Sequence, residues 1–179
     1  MQMDMMFTGF GGQGILMMGK IIALAALKEG KEVAWVPSYG PEMRGGTAYC
    51  TVVIGDEPIG SPIIQNPMNL VAMNQPSMEK FSQLVKPGGM ILKNSSLVPV
   101  SSHRTDLTEY EIAANEIAND LGTVKVTNVV ALGAFIECSG IFSLDLIRDI
   151  LNQELSKKPA LLDINLQAIE RGKSACVSI

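Results

Sequence analysis

The chain has 179 residues, a net charge of −4 and three cysteines. That length suits one domain, residues 1–179, that can bury a core without staples. The charge excludes the basic footprint of a nucleic-acid binder, and the longest apolar stretch, residues 15–27, is broken by Lys20 and falls short of a membrane span.

In chain order, residues 3–8 read as a buried strand that runs into Gly9-Phe10-Gly11-Gly12-Gln13-Gly14. Residues 15–27 follow as a helix, apolar nearly all round and so expected to be covered on more than one side, with Gly30 ending it. Residues 33–36 form a second strand stopped by Pro37. A loop of glycine and proline spans 38–46, and residues 47–54 alternate into a strand that can run against its neighbours. Gly55-Asp56-Glu57-Pro58 marks a turn. Residues 70–73 read as a strand, 76–85 as a helix, 90–92 as a strand and 98–100 as a short edge segment. An amphipathic helix is expected over 109–121 and the last strand over 124–126. Asn128 stands where a cap would precede a helix over 129–137. Helices over 144–155, capped by Ser143, and 159–171, closed by Gly172, complete the chain. The alternation predicts an α/β fold of three layers, with a largely parallel sheet, mixed if the 47–54 strand is reversed, covered by helices on both sides.

Cys50, Cys138 and Cys176 are scattered and odd in number, which predicts no disulfide framework and a reducing, cytoplasmic location. The start, Met1-Gln2-Met3-Asp4, lacks the pattern of a secretory signal. Apolar residues make up 47% before the 17 glycines are added, more than an ordinary soluble domain carries. With eleven methionines among them, they serve either a dense core or a surface kept for a partner.

Gly9, Gly11 and Gly14 have the spacing G-x-G-x-x-G between a strand and a helix. Such a turn lets the backbone approach a ligand, and the helix start suits a phosphate. The acidic residue that would hold a dinucleotide ribose is missing, because the second strand ends in Val36, Pro37 and Ser38. NAD is therefore not expected. Close packing of helix on strand without a ligand, or a phosphate from another ligand, both stay open. The second loop, Pro37-Ser38-Tyr39-Gly40-Pro41-Glu42-Met43-Arg44-Gly45-Gly46-Thr47, leaves the same sheet edge in this fold. Arg44 beside two glycines is open to a carboxylate or phosphate, or pairs locally with Glu42. The lone His103 reads as a surface residue. No zinc spacing, P-loop or nucleophile elbow is present, and three dispersed cysteines cannot hold a cubane cluster.

Taken together, Gly9 to Gly14 and Ser38 to Thr47 closely resemble the gamma subunit of 2-oxoacid:ferredoxin oxidoreductases, a unit that also occurs inside the single-chain pyruvate enzymes. The likeness continues in Val126-Thr127-Asn128-Val129-Val130-Ala131-Leu132-Gly133-Ala134 and in the closing helix from Asn165 to Gly172, and so covers essentially the whole chain. The resemblance implies an accessory role in a complex that decarboxylates a 2-oxoacid, forms an acyl-CoA and reduces ferredoxin. Thiamine diphosphate, iron–sulfur clusters and coenzyme A would belong to that complex, none of them to this chain alone. Its implied partners are alpha- and beta-type subunits and a ferredoxin-like delta subunit; separately, burial of the excess apolar surface predicts self-association, as a homodimer, in isolation. Pyruvate, 2-oxoglutarate, branched-chain 2-oxoacids and indolepyruvate are the family's substrates, and this sequence leans to 2-oxoglutarate or 2-oxoisovalerate. Under this reading Gly9, Gly11, Gly12, Gln13, Gly14 and Arg44 face the cofactor. Tyr39, Glu42, Arg44, Gly45, Gly46 and Asn128 face partners, and no residue is catalytic or binds metal. The rival reading is a free-standing nucleotide- or coenzyme-binding module.

Overall fold

The computed structural model describes residues 2–38 and 47–179. The loop readings at Tyr39, Glu42, Arg44, Gly45 and Gly46 lie outside the described residues. The first strand, β1 (Gln2–Gly9), leads into α1 (Ile15–Lys28), then β2 (Glu32–Ser38), β3 (Ala48–Gly55) and β4 (Asn69–Ala72). Helix α2 (Gln75–Phe81), β5 (Met90–Asn94), β6 (Thr108–Ile112) and α3 (Ala114–Asp120) follow. Helices α4 (Thr127–Ser139), α5 (Leu144–Glu154) and α6 (Pro159–Ala175) precede a short final strand, β7 (Val177–Ser178).

The described strands form one sheet in the order β2-β3-β1-β4-β5-β6-β7. Strands β1, β4, β5 and β6 are parallel. Strand β3 runs antiparallel between β1 and β2, and β7 runs antiparallel on the outer edge of β6. The sheet is thus mixed, with the reversal where the alternating sequence of β3 allowed it.

Strand pleating sorts the core. Met5 and Phe7 of β1 point into the larger cluster under α1 and α4, while Met6 points into a smaller one with Leu70, Ile91, Met78 and Phe81 beneath α2. Helix α4 is buried over residues 128–136, which is why its sequence is apolar all round. The sheet covers one of its sides and α6 the other. Methionine mostly fills this core: Met5, Met6, Met18, Met73, Met78 and Met90 are all buried. Gly19 lets α1 settle on β3, because a Cβ there would stand 2.6 Å from the Cys50 sulfur and 3.0 Å from Trp35 Nε1. Cys50 is the small core residue its strand position implied, and burial pushes its thiol up to about 12.

Several local expectations are corrected. Residues 109–121 are not one helix. Residues 108–112 form β6, and only α3 is helical. Thr108-Glu109-Tyr110-Glu111-Ile112 runs without a turn residue into α3, and Glu109 is buried and accepts hydrogen bonds from Ser102 N and Oγ and from Ser101 Oγ. Residues 124–126 make a tight 3-10 turn rather than a strand, because Thr123 Oγ1 caps Lys125 N and the chain enters α4 directly. Residues 98–100 are not a strand. Val98 instead plugs the smaller core cluster. Asn128 lies inside α4 and caps nothing. Gly172 is not a terminator. It lies within α6, where a Cβ would strike the Val130 carbonyl oxygen of α4. Gly133 makes the reciprocal approach to the Ile169 carbonyl oxygen, so the two helices cross nearly backbone to backbone. Finally, the crossing brings Cys138 and Cys176 together as a disulfide, which their 38-residue separation had concealed.

Candidate functional site

Strand β1 ends at Gly9 on the carboxyl edge of the parallel strands, and the glycine turn is built from that end. Gln13 folds back over it. Its Oε1 accepts from Phe10 N at 2.6 Å and from Asn74 Nδ2 at 3.0 Å, and its Nε2 donates to Met73 O at 3.4 Å. A Cβ at Gly9 would stand 2.6 Å from that Oε1. Gly12 and Gly14 have φ of +92° and +74°, the left-handed region that glycine enters freely. At Gly14 a Cβ would also meet Asn128, at 2.7 Å from Cγ. The inner side of the turn is therefore closed by the chain's own amides. Its outer side, Phe10, Gly11 and Gly12, is exposed.

Gln13 thus braces the turn, and it also lines the cleft at this edge. Asn74 extends the bracing, since its Oδ1 also accepts from Ser77 N at the start of α2. Asn94, at the end of β5, donates to the same Met73 carbonyl at 3.3 Å and to Asn115 Oδ1 at 2.8 Å. A row of amides fixes the ends of β1, β4 and β5 relative to one another. Asn128 completes it from the helical side by donating to Gly14 O at 3.3 Å.

Helix α1 follows Gly14 without a side-chain cap, whereas α4 continues a 3-10 turn whose start is capped by Thr123 Oγ1, with Thr127 N donating to Val124 O. Both contribute to the rim of one cleft of about 540 Å³. Lys125 and Lys158 line it with Asn115, Asn128 and Asn165 and with the apolar Met17, Leu155 and Ile164. The uncapped start of α1, two ammonium groups and apolar lining residues suit an anion carried on a larger organic body. Sequence reading missed Lys125, Lys158, Asn115 and Asn165. The one local signal was Pro159, which marks a helix start and places Lys158 just ahead of it.

The other predicted residues relate to this edge as follows. Gly9, Gly11, Gly12, Gln13, Gly14 and Asn128 are brought together. Arg44 and its neighbours are outside the described residues, but the strands that flank them are not. Ser38 pairs with Tyr49, and Gly9 with Ala48, so β2 ends and β3 begins at the edge that bears the glycine turn. The cysteine set fits no iron–sulfur cluster: Cys50 is buried in β3, and Cys138 and Cys176 pair with each other elsewhere. Among the described residues no helix is long and apolar enough to cross a membrane.

Comparison with known proteins agrees with this architecture. Residues 4–175 match the family model described as pyruvate ferredoxin/flavodoxin oxidoreductase. The chain belongs to that family. Its relatives include the ketoisovalerate oxidoreductase subunit VorA of Methanothermobacter marburgensis, 42% identical over 92% of this chain and 34% of that one. The chain therefore spans about a third of the length of that relative. The gamma subunit of the keto/oxoacid ferredoxin oxidoreductase from Geobacter sulfurreducens superposes with a TM-score of 0.85 at 31% identity, over 98% of this chain and 96% of that one. A 2-oxoglutarate:ferredoxin oxidoreductase from Magnetococcus marinus, solved with 2-oxoglutarate, coenzyme A and succinyl-CoA bound, superposes with a TM-score of 0.86 at 25% identity, over 97% of this chain and 30% of that one. The family fold thus occurs both as a gamma subunit of this size and within a chain about three times as long.

Proposed function

We propose that this chain is the gamma-type accessory subunit of a thiamine diphosphate-dependent 2-oxoacid:ferredoxin oxidoreductase, and that its carboxyl-edge cleft holds the phosphates of coenzyme A. The observation that carries the second part is the convergence of the uncapped α1 start with Lys125 and Lys158 on one cleft. Backbone donors and lysines bind an anion, and they supply neither a nucleophile nor an electron carrier. Thiamine diphosphate and the iron–sulfur clusters reside on alpha-, beta- and ferredoxin-like delta subunits in this reading. The 2-oxoacid is 2-oxoisovalerate or 2-oxoglutarate, in line with the relatives named above.

The rim of the cleft also suits a subunit contact. Val124 and Leu161 line it and are 57% and 44% exposed, and Phe10 of the glycine turn is 38% exposed. Large apolar side chains exposed beside a binding edge fit burial against another chain. In isolation the same rim would drive pairing of two copies.

We extend the proposal to Arg44, since the strands that flank residues 39–46 meet the glycine turn. Arg44→Ala in a complex reconstituted from all subunits should raise the coenzyme A requirement or weaken assembly, read by steady-state kinetics and by sedimentation. Unchanged assembly together with unchanged kinetics would remove Arg44 from the assignment. Tight binding of NAD, FMN or coenzyme A to the lone chain in calorimetry would favour the free-standing module instead.

A further inference from the structure

We propose that Cys138 and Cys176 are a reversible thiol–disulfide pair whose closure clips the C-terminal strand onto the edge of the sheet. Cys138 lies in the last turn of α4, and Cys176 is the first residue beyond α6. The backbone-close crossing at Gly133 and Gly172 fixes these two helix ends beside each other. Immediately after Cys176, β7 pairs with Tyr110 and Glu111 of β6, and Ile179 N donates to Glu109 O at 3.0 Å. Val177 and Ile179 are 53% and 55% exposed, so little apolar burial holds this tail in place. A few edge hydrogen bonds alone open readily, and the sulfur link next to them is what can make the cover durable.

The three cysteines differ in access. Cys138 and Cys176 are half-buried, whereas Cys50 is fully buried. Closure needs an oxidant, and a low-molecular-weight disulfide supplies it. One protein thiolate attacks that disulfide, releases one small thiol and becomes a mixed disulfide. The second thiolate then attacks the mixed disulfide and releases the second small thiol. One S–S bond is broken and one is formed, and two electrons and two protons pass from the protein to the small molecule. A small thiol runs the sequence backwards and frees the tail.

This pair stands apart from the coenzyme site. Ten residues of α4 separate Cys138 from Asn128, roughly 15 Å along the helix axis, so the clip can be tested without reference to the proposed function. The full chain is equilibrated natively across ratios of a small thiol to its disulfide. Samples are then acid-quenched, unfolded and alkylated, and read by mass spectrometry. Hydrogen exchange is followed at both extremes. Cys138 and Cys176 should leave the alkylatable pool together in one two-electron transition, with Cys50 unchanged. Amides of residues 109–111 and 177–179 should exchange about tenfold or more slowly in the oxidised form. Cys176→Ser should show fast exchange at every ratio, and Cys138→Ser should behave the same way should the first variant fold poorly. The proposal is overturned if both thiols stay alkylatable at the most oxidising ratio, if they end as two separate mixed disulfides, or if tail exchange is equal in the two forms.

Discussion

Gly172→Ala is expected to lower the unfolding free energy by about 3 kcal/mol or more. The added methyl group would strike the Val130 carbonyl oxygen, and its other near neighbours are also backbone, the Val130 carbonyl carbon and Cα at 2.7 and 3.0 Å. A side chain could rotate away from such a contact, but a helix backbone cannot. Relief requires α4 and α6 to separate, which loosens the packing of the most buried of the described helices and affects far more than one residue. Gly133→Ala attacks the same crossing from the other helix, through the Ile169 carbonyl oxygen. The two losses should therefore combine to less than their sum, since one separation relieves both. Urea unfolding of the single and double variants measures this directly. A loss below about 1 kcal/mol for Gly172→Ala would mean that the helices are not in backbone contact.

Lys93→Met is expected to cost about 3–5 kcal/mol, because it removes one partner of a buried ion pair. Lys93 and Glu109 expose only 4% and 6% of their surface. Lys93 Nζ lies 3.7 Å from Glu109 Oε1 and 3.5 Å from Glu111 Oε2, and it donates to Val100 O at 3.1 Å. Glu109 Oε2 accepts from Ser101 and Ser102, and Oε1, with no hydrogen-bond partner among the described residues, faces the nearby ammonium. Methionine keeps much of the shape and leaves that carboxylate buried and unbalanced. Adding Glu109→Gln should recover part of the loss, since a neutral amide tolerates the site better. A double-mutant cycle in urea isolates the coupling. Additive losses would show that the pair carries no interaction energy.

The same glutamate explains where sequence reading failed. Glu109, Tyr110 and Glu111 alternate with a strand's period, but the segment runs without a turn residue into the helical α3, which hides the boundary. The real environment of Glu109 depends on Lys93 and Ser102, which local pattern cannot reveal. Asn128 was misread for a similar reason. An asparagine ahead of an apolar run reads as a cap, but its partner is Gly14, 114 residues away. Gly172 and Cys176 were likewise decided by the crossing of two distant helices. What pattern did reveal was the part governed by local rules. The burial of β1, the all-round apolar character of α1, the Ser143 cap that accepts from Leu146 N, and the reversed β3 were all legible. At the site the glycine turn was legible as a turn, and its shape was not. Lys125 and Lys158 come from elements after β6 and reach the turn only through the packing of α4 and α6.

The central claim is that this chain binds the coenzyme end of the reaction and leaves the redox chemistry to its partners. The most direct measurement is the KM for coenzyme A in a complex reconstituted with Lys125→Ala/Lys158→Ala. Two charge-assisted contacts removed from a phosphate predict a rise of about tenfold or more. The kcat at saturating coenzyme A, the KM for the 2-oxoacid and the sedimentation of the complex should all stay unchanged. An unaltered KM for coenzyme A in a normally assembled complex would contradict the account.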